Sequence, residues 1–409
     1  MYKSLSFLLS TAILCGCSSL PMTSHGVKNN AQHPVLTSSE ARHFTIANYF
    51  AQGHTDSWQP EGVTFAKTSY VVGPAGQAPF QDIQQAINSA LIHDHDSASI
   101  AIKLLPGRYE GVVYIPSDAP KLTLYGAGKS AKDTVIAFAI DSKISPAQYR
   151  KLVNHHHRYQ AGDPAWYMYQ VCANKDKSTI ATICSAVLWS QSNQFSLANV
   201  TVENSMLDAV GSGTHQGVAL RTDGDKVQIE NVRLLGRQDT FFVNNAGQDN
   251  QYNVARQSRV YIKNSYIEGD VDYVFGRAQA VFDGVHFNTV STRHPSSAYV
   301  FAPDTPAWLP YGFLVVNSKL SCDKGFKDFS PKLGRAWDQG ASHTGYIPGH
   351  TANGQLVIAN STIQSCYDLS KPWGKAATTG RPFRGNALMS RTLNSQNFNR
   401  LWLFNDTVL

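Results

Sequence analysis

The sequence predicts an all-β solenoid, a parallel β-helix, and three observations carry that reading. First, a short pattern of alternating apolar residues ending at Asn or Gly recurs, closing at Asn199, Asn231, Asn264, Gly284, Asn317 and Asn360. Second, an apolar residue stands three places after each of these marks: Val202, Leu234, Ile267, Phe287, Leu320 and Ile363. Third, the segments are rich in Val, Ile, Phe and Tyr, which favours strands over helical coils. The marks lie 32, 33, 20, 33 and 43 residues apart. A loose period with the turn residue in a fixed place is the pattern of stacked coils with insertions in their loops.

The elements follow in order. Residues 1–17 read as a signal peptide: Lys3 gives a positive start, Leu5 to Leu14 an apolar core too short to span a bilayer. The closing Leu14-Cys-Gly-Cys17 resembles a bacterial lipobox, with Cys17 as the lipidated residue, and Ser18 after it resembles lipoproteins sorted to an outer membrane. A plain cleaved signal is the alternative. Residues 18–37, small and polar, read as a flexible tether, and residues 38–409 as a single domain. A short helix is expected near Ser39 to Tyr49. Phe80, Ile83, Ala86, Ile87, Ala90 and Leu91 have helical spacing, and this amphipathic helix is expected to cover the apolar end of the first coil. Residues 141–186 interrupt the pattern and read as a long excursion, the kind of loop that carries recognition. Beyond Asn360 the period is lost, and a tail packed on the side of the solenoid is expected.

Six cysteines are present. With Cys15 removed and Cys17 acylated, Cys172, Cys184, Cys322 and Cys366 remain, and an even number in an exported chain favours disulfides. Cys172 and Cys184 bracket an eleven-residue polar loop and pair first. Cys322 and Cys366 follow Asn317 and Asn360 by five and six residues, so neighbouring coils bring them close. Metal is a poor reading of these cysteines and of His155–His157, because no CxxC pair or carboxylate cluster accompanies them. The formal charge of +6 is mild, and no basic run suggests nucleic acid.

Asp239 and Asp272 each lie eight residues after a mark, Asn231 and Asn264, and so occupy the same place on neighbouring coils. Stacked coils are about 4.8 Å apart. Two carboxylates that close titrate as a pair with one raised pKa, which divides them into an attacking anion and a proton donor. The neutral amides of Gln238 and Gln216 suit a developing oxyanion. Arg335 is suited to holding a carboxylate ionised through charge-assisted hydrogen bonds. Trp337 and Phe241 offer flat faces for sugar rings.

The set His215-Gln-Gly-Val-Ala-Leu-Arg221, Gly236-Arg-Gln-Asp-Thr-Phe241, Asp272-Tyr-Val-Phe-Gly276 and Leu333-Gly-Arg-Ala-Trp337 resembles the pectin methylesterases. The resemblance runs from about Tyr70 to Asn405 and is greatest to the enterobacterial lipoprotein branch. It implies a right-handed parallel β-helix and hydrolysis of methyl esters of galacturonate in pectin or oligogalacturonides. It places the nucleophile at Asp272, the general acid and base at Asp239, oxyanion donors at Gln216 and Gln238, and the guiding arginine at Arg335. Tyr273 joins Trp337 and Phe241 as a substrate-binding position. The resemblance implies no cofactor or metal, a monomer, and a membrane partner through the lipid. Arg237 and Ala336 depart from the family pattern, which usually has an aromatic and Pro there. An esterase or acyl-thioesterase with another substrate, or a non-catalytic polysaccharide-binding envelope protein, are the competing readings.

Overall fold

The computed structural model describes residues 22–23, 29–65, 70–253, 256–327, 329–341 and 344–409. Cys17 and the signal segment lie outside the described residues. The chain forms a right-handed parallel β-helix whose coils each contribute strands to three sheets, here sheets I, II and III. One coil shows the pattern. Val227–Glu230 lies in sheet I, the chain turns at Asn231, Arg233–Leu235 lies in sheet II, the chain bends at Asp239, and Phe241–Val243 lies in sheet III. Among the described residues sheets I and II have ten strands each and sheet III has seven.

The register is the predicted one. Val202 pairs with Leu234, Leu234 with Ile267, Ile267 with Phe287, Phe287 with Leu320, and Leu320 with Ile363. All six are buried in the solenoid core. The marks turn because they are left-handed: Asn199, Asn231, Asn264, Asn317 and Asn360 have φ between +49° and +53°. Asn visits that region at less cost than other residues with a Cβ. Two of the marks also bond along the axis, Asn231 Nδ2 donating to Asn199 Oδ1 at 2.8 Å.

The expected helix is Ile83–His93, capped by the Asp82 side chain on the Gln85 amide. Its buried Ile83, Ala86, Ile87, Ala90 and Leu91 lie in the same core cluster as the first coil's strands. The tether reading needs correction at its end. Residues 29–37 are packed rather than free: His33, Val35 and Leu36 are buried, and the Leu36 amide donates to Leu403 O. From there residues 29–65 run back along the outside of sheet I as a strap. Tyr49 is buried, its hydroxyl within hydrogen-bond distance of both Phe313 O and Gln355 Oε1. Arg259 clamps the strap through Asp56 at 2.8 Å and the Phe50 carbonyl at 3.0 Å. Further on, the Gly62 amide reaches Gln228.

The excursion at 141–186 holds two helices, Pro146–Val153 and Trp166–Ala173, and joins the body through a buried group of Tyr114, Tyr149, Tyr159 and Tyr169. Both disulfides form: Cys172–Cys184 with Cα atoms 5.6 Å apart and Cys322–Cys366 with Cα atoms 6.6 Å apart. The C-terminal expectation holds only in part. Residues 364–399 do run irregularly outside the coils, but Arg400–Phe404 rejoins sheet I beside Gln355–Ala359, and Thr407–Val408 rejoins sheet II. Asn405 between them has φ +53°. It is a seventh mark.

Candidate active site

The bend between sheets II and III carries the site. Asp239 and Asp272 stand at this bend on adjacent coils with φ +68° and +48°. The Asp239 amide donates to Val271 O at 3.1 Å, and one coil earlier the Gly217 amide donates to Gln238 O at 3.1 Å. Gln216, Gln238 and Asp239, and Asp272 therefore succeed one another along the axis. Arg335 follows strand Pro331–Gly334, two coils beyond Asp272, and reaches back. Its Nε and Nη2 donate to the two Asp272 oxygens at 2.8 and 2.6 Å, while its guanidinium lies 3.9 Å over the Tyr299 ring. A two-pronged cation of this kind fits a carboxylate in its charged form and fixes its plane.

The two carboxyl groups differ in environment. Asp239 is 4% exposed and its pKa is pushed well above the ordinary carboxylate range. Burial is the main cause, the negative charge of Asp272 the second; Arg335 and a hydrogen bond from Gln216 oppose them. The Gln216 amide is itself oriented. Thr182 Oγ1 donates to its Oε1 at 2.7 Å, which leaves the NH₂ end for Asp239 and the cleft.

Gln216, Gln238, Asp239, Asp272, Arg335 and Trp337 all line one cleft of about 470 Å³. Two other expected binding residues do not. Phe241 is fully buried and packs in the core against Phe282, and Tyr273 is fully buried with its hydroxyl on Thr289. Side chains alternate along a strand, so with Phe241 inward the cleft receives Phe242, and on the next coil its sheet partner Phe275; their rings stack at 4.3 Å with Trp337 edge-on to both. The signal was present in the sequence: Phe242 and Phe275 each stand three residues after their Asp. Arg237 turns from the cleft to Asp208 and Glu268, at 2.7 and 3.0 Å, and Ala336 is buried. Lys175, Lys177 and Thr182 from the excursion, with Ala377 and Thr378 from the C-terminal tail, complete the walls. No periodicity marks these residues.

Comparison with known proteins bears on the family of the chain. The sequence model of the pectinesterase family matches residues 167–347. Pectinesterase B of Dickeya dadantii (strain 3937) is 57% identical over 388 residues, covering 92% of this chain and 90% of its own. The chain belongs to the pectinesterase family. Pectinesterases are carboxylic ester hydrolases. Two solved structures agree in fold. One is rice weevil pectin methyl esterase, with a TM-score of 0.84, 38% identity, and coverage of 93% of this chain and 98% of its own. The other is Escherichia coli YbhC, with a TM-score of 0.89, 41% identity, and coverage of 96% and 99%.

Proposed function

We propose that this pectinesterase removes methyl groups from galacturonate esters in pectin or methylated oligogalacturonides, with Asp272 as nucleophile and Asp239 as general acid and base. The observation that carries the reading is the pair itself: Asp272 held two-pronged by Arg335 beside a buried, proton-retaining Asp239 in one cleft. Asp272 attacks the ester carbonyl carbon, and the charge that forms on the carbonyl oxygen falls to the Gln216 and Gln238 amides. The C–OCH₃ bond breaks as Asp239 gives its proton to the leaving oxygen, so methanol departs and an acyl-enzyme anhydride remains. Asp239, now charged, takes a proton from water as that water attacks the anhydride, and the free acid and Asp272 are released. Phe242, Phe275 and Trp337 offer the apolar faces for the sugar.

Methanol release from methylated oligogalacturonides and from polymeric pectin tests this. Asp272→Asn is expected to lower kcat by at least about a thousandfold with the circular dichroism spectrum intact. A folded wild-type protein that releases no methanol from either substrate would overturn the reading. A second reading has support from a relative 41% identical over 409 residues, named a putative acyl-CoA thioester hydrolase of Escherichia coli (strain K12). The same dyad can attack a thioester carbonyl. Acyl-CoA hydrolysis faster than methanol release, lost in Asp272→Asn, would favour it.

We also propose a monomer anchored to the outer membrane through a lipid on Cys17, on the support of Leu14-Cys-Gly-Cys17. Palmitate labelling of the wild type but not of Cys17→Ser is expected, with sedimentation at the mass of one chain; an unlabelled wild type ends the lipoprotein reading.

A further inference from the structure

Beyond its last coil the solenoid is closed by N-terminal and C-terminal segments together. Val35 bridges Leu403 outside sheet I, and Met22–Thr23 pairs antiparallel with Thr407–Val408 as the outermost strand of sheet II. Residues 29–40 interlock there with residues 385–391. The Gly385 amide donates to Ala31 O, Asn29 Nδ2 to Ala387 O at 3.4 Å, and Arg391 pairs with Glu40 at 2.7 Å. From this cap projects the tip Ala387-Leu-Met-Ser390, which carries no charge. Its base is fixed: buried Asn386 accepts the Leu388 amide on its side chain at 3.3 Å and Arg391 Nη1 on its carbonyl at 2.7 Å. Leu388 is 62% exposed and Met389 fully so. Among the described residues no other adjacent pair of large apolar side chains is as exposed. Apolar surface held out by a fixed loop gains by leaving water.

The origin of the chain decides what covers this tip. Cys17 stands five residues before Met22, a reach of about 18 Å at most. A lipid on Cys17 therefore holds this end of the stack against the bilayer, and not the end capped by Ile83–His93. We propose that Leu388 and Met389 dock in the interface of that bilayer, so that the solenoid stands on its last coil. The proposal rests on the lipid-anchor reading of Cys17 above and adds the face that meets the membrane. Entry is shallow: loop N–H and C=O groups need water or partners, so only the two side chains reach the acyl boundary. A second, apolar contact of this kind strengthens an anchor made of lipid alone. Asp272 follows strand Tyr266–Gly269 of sheet II, and four strands described in that sheet lie between it and Met22–Thr23. At the spacing of stacked coils this carries the cleft roughly 20 Å above the last coil, clear of the lipid headgroups.

The test reads depth at both ends of the stack. The full chain is labelled with an environment-sensitive fluorophore at Ser390→Cys, beside the tip, or at Ile92→Cys, exposed on the helix at the opposite end. Each protein is mixed with vesicles of phosphatidylethanolamine and phosphatidylglycerol that contain a quencher-bearing lipid, and mass spectrometry checks for a lipid on Cys17. Quenching at residue 390 is expected to exceed that at residue 92 several-fold. Leu388→Ser/Met389→Ser should remove most of this difference with the circular dichroism spectrum unchanged. Equal quenching at the two positions of a lipidated, vesicle-bound chain overturns the docking and leaves the anchor reading standing. A difference that survives the serine substitutions also overturns it, because the tether alone then sets the orientation. Tip-dependent quenching in a chain without lipid removes the anchor reading and leaves the docking surface. A chain with neither lipid nor quenching removes both.

Discussion

Asp239 sits where a carboxyl group is least at ease: nearly fully buried and beside a second acid. Its proton is held above the usual range, so folding favours the neutral form. Relative to an unfolded value near 4, this contribution to stability is complete below about pH 4 and is lost as pH rises through the higher folded value. Asp239→Asn, neutral at every pH, is therefore expected to melt at a higher temperature than the wild type at neutral and alkaline pH. The gap should close toward pH 4, while methanol release is abolished. Thermal scans across that range check it, and a gap that widens toward acid would contradict it. Thr182 orients the Gln216 amide, and in the proposed mechanism it acts through Gln216 as a positioning residue. Thr182→Val is expected to lower kcat about tenfold with KM little changed, a part of the loss from removing an oxyanion donor, and Thr182→Ser to keep the wild-type rate. Equal kcat in Thr182→Val and wild type would remove that role. The sequence revealed the acids because their distance from a mark is fixed. It concealed Thr182 because the excursion has no period to count from, and it misplaced the aromatic wall by one residue, from Phe242 to Phe241, at a strand that begins just after a left-handed bend.

The turns show why some elements were legible and others were not. An asparagine at positive φ between two apolar alternations leaves a plain trace, and all the expected marks fell on sheet I to sheet II corners. Asn405 carries the same trace in Leu401-Trp-Leu-Phe-Asn405, but 45 residues separate it from Asn360, and the irregular tail between them hid the return to the stack. Residues 29–37 were misread for the opposite reason. Their composition is polar, and two apolar side chains, Val35 and Leu36, with the buried His33, hold them in place. Asn231→Ala is expected to destabilise the protein by about 1–2 kcal/mol, from the left-handed backbone alone, with the Asn199 bond lost as well. Asn231→Gly keeps the backbone and should cost less. Urea midpoints that rank Ala at or above Gly would show that the turn conformation is not what the asparagine supplies.

In a solenoid each coil touches only its neighbours, and such arrays tend to fray from their ends. Here the strap at residues 29–65 touches coils far apart in sequence: Leu403, Gln355, Phe313, Arg259 and Gln228 in turn. It ties the array lengthwise. Tyr49→Ala removes a fully buried ring that packs 4.6 Å from Tyr311, and is expected to cost about 3–5 kcal/mol. If the strap makes the coils unfold together, the denaturant transition of this variant should broaden or split; a transition that shifts with unchanged slope would mean cooperativity comes from the stack alone. The same arrangement sets an order in time. A ribosome makes the strap before the strands it docks on, and Leu403, the partner of Leu36, comes near the end, so for most of synthesis the first strap residues have nothing to bind. The coils are expected to zip up from the Ile83–His93 helix onward, and the earliest-made segment is then fastened at the end, which makes release of the C-terminus the moment at which the molecule closes.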